Sequence, residues 1–292
     1  MIRFSNGHAF EYMAASGTLK FNGKGWPWEK PFYWIGLLDP SRFTVVIKTL
    51  TYHPYRGNLR RYNPTRCIRP IPDGFVNAIG LTNPGIYWWC REIGPRVNSA
   101  KIPIVGSIFG DPGVLAEMAN MLNDFNLVGL EINASCPNTE TDILQNTSRV
   151  IESCEAVLQA SRFPIILKVS VVHDIEQVIK GVKGMVEAIS INTVPWAIVF
   201  PNRRSPLETL GGGGVSGKAA QPFTWALAEK ISEITTIPVI WPSIWDFEDL
   251  GKVRDKRARA VSFGSVFLRY PWRPTLFVRR EQKLKKQGGL RK

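Results

Sequence analysis

With 292 residues, 44% of them apolar, the chain can build one large core, and α/β barrels of this size fold as single domains. Four cysteines without a CxxC pair or zinc-type spacing argue against a disulfide framework and for a reducing, cytoplasmic setting. No apolar run is long enough to span a bilayer, Met1-Ile2-Arg3-Phe4 does not open a secretory signal, and the net charge of +13 is high.

Eight apolar, β-rich runs succeed one another, at 12–15, 44–47, 102–106, 127–132, 164–169, 188–191, 238–241 and 260–263. Helical spacing of apolar residues follows most of them, at 115–122, 150–158, 175–182 and 223–234. Periodicity alone gives an α/β class. The count of alternations points to a (β/α)8 barrel. No linker or composition break divides residues 1–278, which are expected to form one domain. The segment 52–84, rich in Pro, Gly and Arg, is long for a loop. Trp26, Trp28, Trp34, Trp88 and Trp89 crowd the first third, where core packing or a subunit interface is the ordinary reading. Residues 279–292 hold seven Lys or Arg against one acid, Glu281, and read as a solvated basic tail. The other occupants of such a tail are nucleic acid, anionic lipid or an acidic partner, of which nucleic acid is the least expected.

The chemistry concentrates where apolar runs end. A barrel presents its reactive groups at the C-terminal ends of its strands. Lys48 follows Val45-Val46-Ile47, Asn133 follows Leu130-Glu131-Ile132, Lys168 follows Ile165-Ile166-Leu167, and Asn192 follows Ile189-Ser190-Ile191. Two lysines and two amides at four strand ends are hard to read as surface. Asn133-Ala134-Ser135-Cys136-Pro137-Asn138 sets a thiol between two carboxamides, and these can donate to and accept from a planar ring bearing carbonyl and N–H groups. Cys136 can carry a proton or act as a nucleophile, whereas Cys67, Cys90 and Cys154 read as buried apolar residues.

This N-x-S-C-P-N motif resembles the dihydroorotate dehydrogenases, in the class that uses Cys as the base. The resemblance continues in order through Ala15-Ser16-Gly17-Thr18, Lys48-Thr49, Arg56-Gly57-Asn58, and Asn77-Ala78-Ile79-Gly80-Leu81-Thr82-Asn83-Pro84-Gly85. It goes on through Lys168, Asn192-Thr193, Gly213-Gly214-Val215-Ser216-Gly217 and Gly264-Ser265, so that it spans about residues 10 to 268. It implies an FMN-binding TIM barrel with a small hairpin excursion on the active-site side. The implied reaction oxidises dihydroorotate to orotate in pyrimidine synthesis, with Cys136 as base and hydride transfer to the flavin. Lys168 is then expected at the flavin N1–O2 edge, and Lys48 between flavin and substrate. Asn77, Asn133, Asn138, Asn192 and Thr193 are expected to hold the substrate, with the backbone N–H groups of Gly80 and Leu81 on its carboxylate. Ala15, Ser16, Gly17, Thr49, Asn133, Gly214, Ser216 and Gly217 are the remaining expected flavin contacts, with Ser243, Gly264 and Ser265 at its phosphate.

Two stretches depart from the family pattern. Where a Gly-Gly pair is expected after Pro238-Val239-Ile240, this chain has Trp241-Pro242-Ser243, one residue short, and Pro242 has no N–H to give. The loop 139–146 matches no class of the family. The start of the chain and Cys136 point away from the membrane-bound, Ser-base class. Ala15-Ser16-Gly17-Thr18 and Asn77-Ala78-Ile79-Gly80-Leu81 are most similar to the NAD-linked soluble class, which pairs the barrel with an iron–sulfur and FAD subunit. The fumarate-using homodimers are the nearer alternative, and a homodimer is the assembly expected by analogy. Two competing readings are a related pyrimidine-base flavin reductase, against which Asn138 speaks, and a barrel that has lost FMN and serves as a scaffold, which the Trp241-Pro242-Ser243 loop would favour.

Overall fold

Every residue of eight strands is buried in the computed structural model, which describes residues 1–60, 63–134 and 146–288. Parallel strands covered on both faces need apolar side chains at nearly every position, which is why the sequence shows continuous apolar runs rather than alternation. Strands are numbered β1 to β14 along the chain. The barrel comprises β3 (Tyr12–Ala14), β4 (Thr44–Val46), β7 (Ile104–Ile108), β8 (Gly129–Asn133), β9 (Ile165–Val169), β10 (Ala188–Ile191), β13 (Val239–Trp241) and β14 (Ala260–Phe263). They run parallel in that order, and β14 closes onto β3 through Val261↔Tyr12. The expected barrel is the observed one, and the runs at 188–191 and 260–263 match their strands to the residue. β7 starts two residues later than expected, because Pro103 can only accept: its carbonyl takes the Val45 N–H at 2.8 Å.

Helices α1 (Lys30–Trp34), α2 (Ile86–Glu92), α3 (Pro112–Leu122), α4 (Thr147–Ala160), α5 (Ile175–Gly181), α6 (Trp196–Val199), α7 (Gln221–Ile234), α8 (Phe247–Asp255), α9 (Val266–Arg269) and α10 (Arg273–Lys286) complete the layout of the described residues. Outward-facing strand residues such as Leu130, Ile132, Leu167 and Ile189 pack against the helical shell with Met118, Val157, Ile179 and Ile231. Inward residues Met13, Val46, Val105, Ile166, Ala188, Ile240 and Ala260 form an apolar layer inside the barrel. The hairpin β1 (Ile2–Arg3) and β2 (Ala9–Phe10) closes the lower end with Ile2, Phe4 and Phe10. Trp89 is a core residue, its indole N–H donating to the Phe21 carbonyl at 2.8 Å.

The excursion is larger than a hairpin. β5 (Ile68–Ile71) and β6 (Gly74–Asn77) form the expected hairpin, but β11 (Val194–Pro195) and β12 (Gly214–Gly217) extend it to a four-stranded sheet, ordered β11-β12-β6-β5. Sequence periodicity misses β12 because it is short and follows Gly211, Gly212 and Gly213, all with φ near +80°. The first of its ladder pairs joins Gly214 to Asn77.

The basic segment from 279 differs from a solvated tail over its described part. Arg279–Lys286 is the second half of α10, and Glu281 is 1% exposed. The Glu281 carboxylate accepts from Tyr12 Oη at 2.7 Å and from Arg254 Nε at 3.0 Å. Burial would raise this carboxyl, but the charge and hydrogen bond of Arg254, with Tyr12 and Lys285, hold it below its ordinary value. The helix is thus fixed to the barrel wall beside β3, with its cations on the outer face. Glu281→Ala removes the buried partner of the Arg254 guanidinium, leaving it Glu11 at 3.8 Å, and is expected to cost about 2 kcal/mol. Urea unfolding of the two proteins checks this, and an unchanged midpoint would show that α10 is held by its apolar face alone.

Candidate active site

The inward stride of each strand carries apolar side chains low in the barrel and polar ones above. Val105 is followed by Ser107, Gly129 by Glu131 and Asn133, Ile166 by Lys168, Ala188 by Ser190 and Asn192, and Val46 by Lys48. The period of two in a strand dictates this stacking. The consequence is a polar layer at the C-terminal mouth, resting on an apolar floor.

A charge in the middle of this layer organises it. Glu131 is fully buried, and its carboxylate accepts from Lys168 Nζ at 2.9 Å, Ser107 Oγ at 3.1 Å and Ser190 Oγ at 3.1 Å. A hydroxyl has one proton. Ser107 gives its own to Glu131, so Thr49 donates to Ser107 at 2.9 Å and accepts from Asn133 Nδ2 at 3.1 Å. Ser16 Oγ lies 3.0 Å from Thr49 Oγ1 and donates to the Ile47 carbonyl at 2.9 Å. The network therefore passes from the end of β3 across β4, β7, β8, β9 and β10, joining Ser16, Thr49, Asn133 and Lys168 of the expected set. Lys48, two residues beyond β4, and Asn192, one beyond β10, stand on the same rim, and Lys48, Asn133 and Lys168 are all buried.

The excursion sheet brings in the next group. Asn77 Nδ2 donates to the Gly214 carbonyl at 3.3 Å, and a Cβ on Gly214 would sit 2.3 Å from Thr193 Oγ1. Thr193 leads directly from Asn192 into β11, so Asn77, Thr193 and Gly214 meet beside the rim. Gly80 and Leu81 form a left-handed turn with φ of 64° and 55°, and neither amide donates to another group among the described residues. Asn83 fixes this turn: its Nδ2 donates to the Leu81 carbonyl at 2.6 Å and its Oδ1 accepts from Gly85 N at 2.8 Å. Gly57 has to be glycine, since a Cβ there would lie 2.3 Å from the Gly80 carbonyl oxygen. Ser216 and Gly217 lie in β12, with Ser216 Oγ 3.4 Å from the Phe75 carbonyl and Gly217 against Trp245.

The shortened loop after β13 is firmly built. Ser243 takes φ of +63°, the left-handed conformation a glycine would adopt at little cost. Gln221 Nε2 donates to the Ser243 carbonyl at 2.8 Å and to Asp249 Oδ2 at 2.7 Å. Asp249 is fully buried and also accepts the Trp245 and Asp246 amides at 3.0 and 2.9 Å. One strand over, Gly264 and Ser265 follow β14, and the buried Ser265 Oγ has no hydrogen-bond partner among the described residues. Ala15 enters its turn by donating its amide to the Phe263 carbonyl at 2.9 Å, and the Gly17 carbonyl accepts from Trp26 Nε1 at 3.0 Å.

Cys136 and Asn138 lie outside the described residues, as does most of the loop after them. Of the other thiols, burial pushes Cys154 up to about 12 and Cys90 up to about 11, and raises Cys67. These three are poor proton acceptors near neutrality. A cleft of about 580 Å³ opens at the opposite end of the barrel, lined by Asn6, His8, Asn98, Ser99 and Asn126, and none of the expected site residues reaches it.

Glu131 is the residue that sequence reasoning passed over, although it lies in the run Leu130-Glu131-Ile132 that leads into the motif. The signal was present: a carboxylate two residues before Asn133, in a strand covered on both faces, needs a buried cation at the same height on a neighbour. Lys168 on β9 is that cation, its Nζ reaching Glu131 Oε1 at 2.9 Å across a ladder in which its backbone partner is Asn133.

Fold and mouth together define a barrel enzyme with a cationic, amide-lined site. The dihydroorotate dehydrogenase family model matches residues 35–241, and the chain belongs to that family. It is 30% identical over 269 residues to the catalytic subunit of dihydroorotate dehydrogenase B (NAD(+)) from Desulforudis audaxviator, covering 89% of this chain and 83% of that protein. It is 33% identical over 233 residues to dihydroorotate dehydrogenase A (fumarate) from Lactobacillus delbrueckii subsp. bulgaricus, covering 76% of this chain and 74% of that one. Among solved structures, the ligand-free type enzyme of the same name from Eimeria tenella shares the fold, with a TM-score of 0.62 at 16% identity over 81% of this chain and 75% of that chain. The family expected from the motifs is the family found.

A double-mutant cycle tests the buried pair. Glu131→Leu and Lys168→Met are each expected to cost about 3 kcal/mol by leaving a charge unpaired, with the double variant recovering much of that. Denaturant unfolding without cofactor reads the coupling, and additive costs would mean the two groups do not depend on each other.

Proposed function

We propose that this chain oxidises (S)-dihydroorotate to orotate in pyrimidine synthesis, with FMN as its cofactor. The observation that carries this reading is the mouth layer in which Lys168 pairs with the buried Glu131 carboxylate while Lys48, Asn133 and Asn192 stand at neighbouring strand ends. The residues present fit the cofactor. Ser265 Oγ is a buried, unengaged donor beside Gly264, where barrels bind phosphate after their last strands, and Ser243 restores a glycine-like bend in the neighbouring loop. Ser16, Gly17 and Thr49, joined at the ends of two neighbouring strands, would hold the flavin on that side. Gly214, Ser216 and Gly217 approach from the excursion sheet.

FMN, when bound, supplies a two-electron acceptor for the hydride leaving the substrate ring. The chain's own residues do the rest. Asn77, Asn133, Asn192 and Thr193, with Asn138, bind the ring amides and hold it in one plane. The free amides of Gly80 and Leu81 bind the carboxylate, and Lys48 adds a cation between substrate and cofactor. Cys136 takes the proton from the ring carbon next to the one that gives up hydride. Lys168, held by Glu131, presents a fixed positive charge to the edge of the cofactor where electrons arrive. The acceptor beyond the flavin is NAD, reached through an iron–sulfur and FAD subunit, and the barrel pairs with a second copy in the cytoplasm.

An anaerobic visible spectrum of the protein supplied with FMN, before and after addition of dihydroorotate, tests the reading. The flavin band is expected to bleach. A bound flavin that does not bleach would move the substrate to another pyrimidine, and a protein that binds no flavin would be a non-catalytic barrel. Cys136→Ala is expected to keep the flavin band and to slow bleaching at least about 100-fold. Bleaching at the unmodified rate would remove Cys136 as the base.

A further inference from the structure

The exposed side chains of the tip formed by α1 and the residues flanking it take no part in the mouth or the core. Trp34 is 74% exposed, Ile35 69%, Trp28 49% and Tyr33 41%, and Leu276 on α10 adds a further 41% exposed apolar side chain. These side chains form one surface. The Phe32 and Trp272 rings lie 5.2 Å apart, and Arg279 Nη2 donates to the Gly36 carbonyl at 3.0 Å, so the tip runs along the first two turns of α10. The outer face of α10 continues with exposed Arg280, Lys283 and Lys286, and exposed Lys24 and Lys30 lie on the α1 side. The nearby acids are taken up within the fold. Glu29 and Glu281 are buried, and Asp39 is paired with Arg42 and Arg279.

The tip is also preformed. Trp26 stacks on Trp28 at 5.2 Å with their planes 3° apart, and the buried Glu29 carboxylate accepts the Trp26 amide at 2.7 Å. Docking through this tip therefore has little ordering cost.

We propose that this face docks on the anionic surface of a lipid bilayer. Indole and phenol rings settle at headgroup depth, Ile and Leu below them, and flanking cations meet acidic lipids. Protein interfaces are depleted in Lys, whereas this rim carries four lysines beside its arginines, and the net charge of +13 favours approach to an anionic surface. No helix among the described residues is long and apolar enough to cross a membrane, so the association is peripheral and reversible.

The test is co-sedimentation of the full-length protein with phosphatidylcholine vesicles and with 3:1 phosphatidylcholine–phosphatidylglycerol vesicles, at low and high salt. Sedimentation with the anionic vesicles, weakened by salt and accompanied by a blue shift of tryptophan emission, is expected. Trp34→Ser with Ile35→Ser is expected to reduce binding at least about tenfold. Lys283→Gln with Lys286→Gln should weaken it by roughly fivefold per cation. Both double variants should melt at the temperature of the parent. Failure to sediment with anionic vesicles, equal partition into neutral ones, or binding that both double variants leave unchanged would overturn the proposal. Conversion of a lipid-free dimer to a monomer by Trp34→Ser with Ile35→Ser would overturn it too, by assigning the tip to a second copy of the chain.

Discussion

The carboxylate of Glu131 is the constraint around which the mouth of this barrel is arranged. A charge enclosed on all sides has to be met by donors at fixed positions. Three strands supply them: Ser107 on β7, Lys168 on β9 and Ser190 on β10. Satisfying that one group sets the height at which β7, β8, β9 and β10 stand beside one another. It also fixes the direction in which the Thr49 hydroxyl and the Asn133 amide point. Residues proposed above to meet substrate and cofactor are therefore oriented from below, by a group beneath them.

The same economy governs the loop after β13, where a different buried acid serves. Asp249 gathers two backbone amides and the Gln221 side chain, and Gln221 in turn holds the carbonyl of Ser243. The bend of this shortened loop is held by Gln221 of α7 and Asp249 of α8 rather than left to the flexibility of its own residues. The left-handed serine is the local strain this arrangement holds in place.

Much of this was legible in the sequence. Barrel strands buried on both faces leave long apolar runs, and residues that end such runs fall at the mouth, so Lys48, Asn133, Lys168 and Asn192 could be placed from spacing alone. The roles of Asn77, Gly80 and Ser265 needed the family resemblance, because nothing local marks them. What stayed hidden depends on contacts between distant segments. β12 is four residues long and becomes a strand only because β6 and β11 flank it. The end of the chain reads as a solvated tail because its one acid looks outnumbered, yet Glu281 is the residue that the barrel holds. Composition reports how many charges a segment has, and not which of them faces inward.

The pairing of Asn77 with Gly214 has a consequence for how the molecule is assembled. The two residues are separated by 137 positions, and the chain between them contains four of the eight barrel strands. Closing so long a loop has an entropic cost that a short antiparallel ladder cannot offset early in folding. The barrel wall has to bring the two segments together first. The excursion-sheet half of the mouth is thus the last part to form and, by the same reasoning, the part whose opening disturbs the remainder least. A strand pair of this kind can give way to admit a ligand while the layer around Glu131 keeps its geometry.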